Sequence, residues 1–459
     1  MIAFAHPAHA QLPGVQLPNT QLPNLPGVDL PRTVGGVTNT VGGAVGGVTS
    51  QLDPQRLTGL RRLRVRELLR TQRANVERDP NGAPVLRAEL VAFSPTDAVL
   101  ESARAAGFTV ARERVLEGLD ARVVVFRAPD GMSTRRALSR LRRIDPVGAY
   151  DFNHLYMDSG AVAAPFGTSA AAQVARPAER AEPIRVAEEQ VTAAAPASAL
   201  KVGLVDGGVD AAHPVFRAAV IHQHGCGDTP VPSAHGTAVA SLMIGNSEMF
   251  HGAAPGAELF AADVYCGSEI GGAVDAVVEG IAWLARQRVP VINVSLVGPP
   301  NVTLENVVRV VIARGFIVVA AVGNDGAAAP PLYPASYPGV VGVTGVDARQ
   351  KALLEACRGT QVDFAAPGAD MAAAMLSPSF AAVRGTSFAA PIVAGLLAAR
   401  LHEPDAAGAG QAIAALTQQA VDLGSRGVDK VYGNGLVGNS LRTVPALALL
   451  GAAGSPAKH

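Results

Sequence analysis

GTSFAAPIVAG, Gly385 to Gly395, sets Ser387 behind Gly385 and Thr386 at the head of a run of small apolar residues that reads as a buried helix. A serine hydroxyl is a poor nucleophile until a base takes its proton and donors stabilise the oxyanion that forms. Three other apolar stretches carry groups suited to those tasks. KVGLVDGGVD ends a short buried strand on Asp206, PSAHGTAVASLMIG puts His235 on the first turn of a helix, and GFIVVAAVGNDG delivers Asn324 into a Gly-Asn-Asp-Gly turn. Strand C-ends and helix N-termini are where open α/β sheets hold their sites. Taken singly, each residue also reads as ordinary turn or cap chemistry. Their joint order and placement select the catalytic reading.

That order is Asp206, His235, Ser387. It is the order of subtilisin, whereas α/β-hydrolases run Ser, Asp/Glu, His and chymotrypsin runs His, Asp, Ser. The chain resembles the subtilisin-like serine peptidases, the subtilase family, over about residues 200 to 440: VDGGVDAAHPVF is similar to the Asp box, AHGTAVAS to the His box, VAAVGNDG to the oxyanion-asparagine box and RGTSFAAP to the Ser box. The resemblance implies that Ser387 attacks a carbonyl and His235 shuttles the proton. It gives Asp206 the task of orienting the imidazole, and Asn324, with the Ser387 backbone N–H, that of holding the oxyanion.

The resemblance also places substrate. INVSLVG, which contains Ser295, Leu296, Val297 and Gly298, resembles the strand to which an extended peptide adds by backbone hydrogen bonds. Val297 stands where the family has a glycine and adds bulk there. Ala321, Gly323 and Leu332, with Ala335, supply the opposite wall, so the expected first pocket is apolar, lacks a carboxylate and prefers medium apolar side chains. Gly207, Ala238, Ser241 and Phe388 also depart from the family pattern, and none removes a proton-transfer group. The short loop IGNSEMFHG implies that the family's calcium site there is absent. No metal-ligand spacing stands out, so no cofactor is expected; Asp and Asn elsewhere leave calcium binding at weaker sites open, with no site identified.

From Leu200 onward, near-continuous apolar strands alternate with helices, VGLVD, AELFAADVY, VPVINVSL, GFIVVAAVGN and VVGVTGVD being the strands. This pattern predicts a parallel α/β sheet covered by helices on both faces. Trp283 is expected to pack in the core. Residues 84 to 157 read as strand, helix, strand, strand, helix, strand, a small ferredoxin-like α+β arrangement. Its position before the boxes resembles the inhibitor-type prodomain of many subtilases, and NHLY, residues 153 to 156, reads as an exposed tail, with self-cleavage expected near Tyr156–Met157. LTGLRRLRVRELLRTQR, Leu57 to Arg73, reads as a basic, solvated helix leading into that domain.

The expected organisation is therefore a remnant or misassigned signal peptide at 1–10, a Pro/Gly-rich linker at 11–56, the basic helix and prodomain at 57–157, an Ala/Pro-rich linker at 158–199, the catalytic domain at 200–440 and a tail at 441–459. MIAFAHPAHAQ lacks a positive n-region, and we expect the true export signal to begin upstream. Zero formal net charge argues against a nucleic-acid partner, and no run of eighteen apolar residues predicts a transmembrane helix. Residues 1 to 150 carry 20 Arg against 13 Asp and Glu, a net +7, which leaves −7 for the remainder and lets the two parts attract. Of three cysteines, Cys226 and Cys266 can pair, with Cys357 a buried thiol, or all three can stay reduced. The expected function is an exported, autoprocessed serine endopeptidase acting on polypeptides and held by its own prodomain. A catalytically silent binding or chaperone module on the same fold is the alternative.

Overall fold

The computed structural model describes residues 54–158, 160–162, 200–268, 270–376 and 378–445. These lie in one compact unit, 46–459. The expected signal remnant, almost all of the 11–56 linker and almost all of the 158–199 linker fall outside the described residues. The chain opens with α1 (Pro54–Thr71) and β1 (Val76–Arg78), then β2 (Pro84–Phe93), α2 (Asp97–Ala105), β3 (Thr109–Leu116), β4 (Ala121–Arg127), α3 (Thr134–Ile144), β5 (Ala149–Asp158) and β6 (Ala161–Val162). It continues with β7 (Lys201–Asp206), β8 (Ile221–His224), α4 (Ala234–Ile244), the hairpin β9 (Asn246–Ser247) and β10 (Phe250–His251), β11 (Glu258–Asp263), β12 (Gly272–Ala273), α5 (Val274–Arg286), β13 (Val291–Val294) and β14 (Leu296–Val297). Last come α6 (Val302–Ala313), β15 (Ile317–Ala321), β16 (Val341–Val346), β17 (Phe364–Pro367), β18 (Met371–Ala374), β19 (Phe380–Arg384), α7 (Thr386–Ala398) and α8 (Ala406–Gln419).

The central sheet has the order β17-β16-β15-β13-β7-β11-β8, and every neighbouring pair in it is parallel. Both faces of β7, β11, β13, β15 and β16 are covered, which explains why these strands read as unbroken apolar runs, whereas the edge strand β8, IHQH, does not. Leu204, Ala261, Val319, Ala321 and Val343 pack on one face with α4 and α7 residues such as Val239, Met243, Phe388 and Val393. Val205, Ala262, Ile292, Val318 and Ala320 pack on the other face with Val277, Ile281, Leu304 and Val308 of α5 and α6. Trp283 joins that second cluster, as expected. Among the described residues no helix is long and apolar enough to cross a membrane.

Residues 84–158 form the expected strand-helix-strand-strand-helix-strand unit. Its sheet order, β5-β2-β4-β3, is antiparallel throughout. One face buries Leu90, Val124, Phe126 and Phe152 against Leu100 of α2 and Leu138 and Leu141 of α3. The other face, with Val91, Val123 and Val125, packs into the cluster formed by α5 and α6. Polar groups fix that docking at two helix N-termini, where unpaired N–H groups need acceptors. Asp151 accepts from the Val302 N–H at the start of α6 (3.0 Å), and Asn153 accepts from the Asp275 N–H on the first turn of α5 (3.4 Å) while its own amide donates to the Asp275 carboxylate (2.9 Å). Arg112 bridges Asp275 and Glu89. The ion pairs between the halves run in both directions, however, since Arg286 meets Glu117 and Arg314 meets Asp120.

Two expectations need correction. Residues 153–156 are not an exposed tail: Asn153, His154, Leu155 and Tyr156 are at most 2% exposed, because β5 runs on past its own sheet into a slot between β12 and β14. The basic helix is not simply solvated either. Leu63 is 56% exposed, but Leu68 is buried against Leu155 and Met157.

Candidate active site

The four boxes converge at the C-terminal edge of the parallel sheet. Asp206 is the last residue of β7, and its carboxylate is fully buried. Ser233 caps α4 by accepting from the Gly236 N–H at 2.9 Å, which sets His235 on the first turn. The Nδ1 of His235 lies 3.0 Å from both Asp206 oxygens, and its Nε2 lies 3.1 Å from Ser387 Oγ. Ser387 is the second residue of α7, where backbone N–H groups gather. Burial opposes charge on His235, but the Asp206 carboxylate, aided by Asp158, outweighs it and holds the imidazole above its ordinary pKa. Burial likewise raises the Asp206 carboxyl, and His235 draws it back.

Asn324 is 5% exposed and turns its Oδ1 to the Thr386 N–H at 3.1 Å. Its Nδ2 faces Gly385. Gly385 has φ of +142°, a region that disfavours side chains, and a Cβ there would stand 2.8 Å from Asn324 Nδ2 and 2.8 Å from the Cα of Gly160. A Cβ on Gly160 would in turn lie 2.4 Å from Ser387 Oγ. The chain's own backbone therefore passes directly over Ser387.

It does so as an extended strand held on both sides. Tyr156 and Leu155 pair with Gly272 and Ala273, while Met157 and Asp158 pair with Val297 and Leu296, all antiparallel. Beyond Gly160, Ala161 and Val162 pair with Arg384 and Val383 of β19. A polypeptide laid across the site in this way is the geometry of strand addition.

Among the expected substrate residues, Leu296 and Val297 contribute backbone to this pairing. Ser295 is buried and donates to the Ser387 carbonyl at 2.9 Å, with Asn293 donating to Ser295 in turn. Gly298 leaves room for Tyr156, whose ring would lie 2.6 Å from a Cβ there. Gly323 and Leu332 touch each other, since a Cβ on Gly323 would meet Leu332 Cδ1 at 2.5 Å. Ala321 is not brought to them; its side chain belongs to the cluster on the opposite face of the sheet. The carboxylate of Asp325 stands one residue from Asn324, and Arg61 occupies it.

A model of the subtilase family matches residues 197–435, more than half of the chain. The chain belongs to the subtilase family. Subtilisin BL of Lederbergia lenta is 34% identical over 245 residues, 52% of this chain and 89% of that protein. Subtilisin DY of Bacillus licheniformis is 32% identical over 246 residues, 52% of this chain and 88% of its own length. In fold, the subtilase resembles fervidolysin from Fervidobacterium pennivorans, described as a keratinolytic enzyme related to subtilisin, with a TM-score of 0.60 at 19% identity. That likeness covers 81% of this chain and 61% of fervidolysin, so it reaches beyond residues 197–435. This subtilase is a subtilisin-like serine protease.

Sequence reasoning missed several groups around the subtilase site. Arg384, whose backbone pairs with Ala161, is bound through Nε to the fully buried Glu355 at 2.7 Å. The two residues lie 29 positions apart with no local pattern joining them. Of the two cysteine arrangements that the sequence left open, the first holds: Cys226 and Cys266 are bonded to each other, and Cys357 is a free buried thiol that burial pushes up to about 11, which makes it a poor nucleophile.

Proposed function

We propose that this subtilase is an exported endopeptidase made as a self-processed precursor, with Ser387 as nucleophile, His235 as general base and acid, and Asp206 as its orienting carboxylate. The observation that carries the reading is the 3.1 Å contact of His235 Nε2 with Ser387 Oγ beneath a strand of the same chain. His235 Nε2 takes the Ser387 proton as Oγ bonds to the carbonyl carbon, and the C–N bond then breaks as the proton passes to the leaving amine. Water repeats the sequence on the acyl-enzyme. Asn324 Nδ2 and the Ser387 N–H are the donors for the oxyanion.

The bond cut first is the one that precedes Gly160, three residues beyond the Tyr156–Met157 step expected from the sequence. The strand reaches Leu296 through Asp158 on one side and resumes at Ala161 on β19 on the other, which brackets that bond. Residues 57–157 then act as prodomain, 200–440 as the catalytic domain, and β5 as an inhibitor after the cut. A bonded cysteine pair accords with an oxidising, exported setting. Substrates are extended polypeptides, with apolar side chains favoured at the first pocket. The silent-module alternative has no feature in its favour, since all four chemical groups are present and in register.

The test is intact mass and N-terminal sequencing of the protein beside Ser387→Ala, with a casein assay on both. A wild-type fragment starting at residue 160, with an uncut and inactive variant, is the expected outcome. Two uncut and inactive proteins would turn the reading to the silent module.

A further inference from the structure

Helix α1 lies outside the strand-helix unit of residues 84–158, yet two of its arginines, three residues apart and so on one face, reach one bank of the cleft and the strand that lies in it. Arg61 binds Asp325 in a fork, Nε at 3.1 and 3.0 Å and Nη2 at 2.6 Å, with side chains 18% and 8% exposed. Asp325 directly follows Asn324. Arg64 Nη1 lies 2.8 Å from Asp158, the last residue of β5 and the one paired with Leu296. Between and beyond them, Val65, Leu68 and Leu69 pack over Leu155 and Met157 of the inserted strand and over Ile270 and Ala273 of the catalytic part. The first turns also lie on the Asn324 loop, since a Cβ on Gly326 would come 2.9 Å from Thr58 Cγ2. One helix thus touches both the strand in the cleft and both of its banks.

We propose that α1 is a clamp over the loaded cleft, which holds the inserted strand after the cut and sets how fast the N-terminal part leaves. The inference rests on the self-cleavage reading above. It differs from the docking of residues 84–158, which acts through the first turns of α5 and α6 and an apolar face. Arg61 fastens the helix to the catalytic part; Arg64 fastens the strand to the helix. Asp158 stands close enough to His235 to favour its protonated form, and Arg64 acts in the opposite sense. The clamp therefore also offsets a carboxylate that the strand brings to the base.

The experiment compares the full chain with Arg61→Ala/Arg64→Ala, following the cut by gel and hydrolysis of a short chromogenic peptide in the same sample. The expected result is a similar rate of cutting, with active enzyme appearing roughly tenfold sooner after the cut in the variant, because losing one partner of a buried charge pair acts on dissociation. Added salt should shorten the lag of the wild type and leave the variant unchanged, a response that a purely apolar cover would not give. Arg61→Lys/Arg64→Lys should fall between, since lysine keeps the charge and loses the fork. Equal lags at every salt concentration overturn the clamp. A second arm needs no cut: in Ser387→Ala precursor, amide exchange at residues 155–158 should quicken when both arginines are removed, and unchanged exchange again overturns the proposal. Failure of the wild type to cut, with quickened exchange, would count against self-cleavage and not against the clamp. Should the double variant fail to fold, Arg64→Ala alone, at a side chain 42% exposed, serves in both arms.

Discussion

Gly160→Ala puts a methyl group where the structure has no room for one. The new Cβ would stand 2.4 Å from Ser387 Oγ and 2.4 Å from Cε2 of Phe388, whereas ordinary contact begins near 3.4 Å. On its other side Gly160 lies close against Gly385, which stands beside Asn324, so no small sideways shift relieves the clash. Either Ser387 rotates off His235 or the strand lifts by about 1 Å, and a misplacement of that size costs on the order of 10²-fold in rate. The assay is the first-order appearance, by mass spectrometry, of a fragment that begins at residue 160 from purified precursor. Self-cleavage at that bond should slow about 10²-fold, while the protein that does mature should hydrolyse a short peptide with unchanged kcat, since residue 160 is no longer joined across the site. Cutting at the wild-type rate and at the same bond would refute the placement of Gly160 at the reacting position.

Three further outcomes are expected. Asn324→Ala should lower kcat by roughly 10²–10³ with little change in KM, the effect known for the same kind of donor in subtilisin, and a loss confined to KM would remove Asn324 from the oxyanion role. His235 works as a base only when neutral, so activity falls as pH drops through its pKa, which Asp206 raises; Asp206→Asn should move the acid limb of the kcat/KM profile to lower pH while lowering kcat by about 10⁴, and an acid limb that stays in place would contradict that pairing. The Cys226–Cys266 bond spans a sequence separation of 40. Replacing both cysteines by serine should cost up to about 4 kcal/mol, read as a lower midpoint in denaturant relative to the wild type under non-reducing conditions.

The catalytic geometry was legible because each group sits at the end of a locally readable element. VGLVD announces a buried strand and Ser233 a helix cap, so Asp206 and His235 were placed before their distance was known. The strand-helix order of residues 84–158 was equally plain, down to α3, whose Leu138 and Leu141 alternate with arginines. What stayed hidden was long-range pairing. Nothing in NHLYMD states that its neighbours will be Gly272 and Leu296, and its polar Asn153 and His154 suggest solvent until Asp275 and Asn301 are seen to bind them. Arg61 and Asp325 are 264 residues apart, so their pairing has no local trace.

Strand β5 joins its own antiparallel strands to β12 and β14 of the later part of the chain in one continuous sheet. In the proposed precursor the strand is tethered to the cleft, and its local concentration, set by the connecting chain, does not change when the protein is diluted. The proposed cut before Gly160 would leave those hydrogen bonds in place but remove the tether. Occupancy of the cleft would then follow ordinary mass action, so the same contacts would become weaker restraints as the protein disperses.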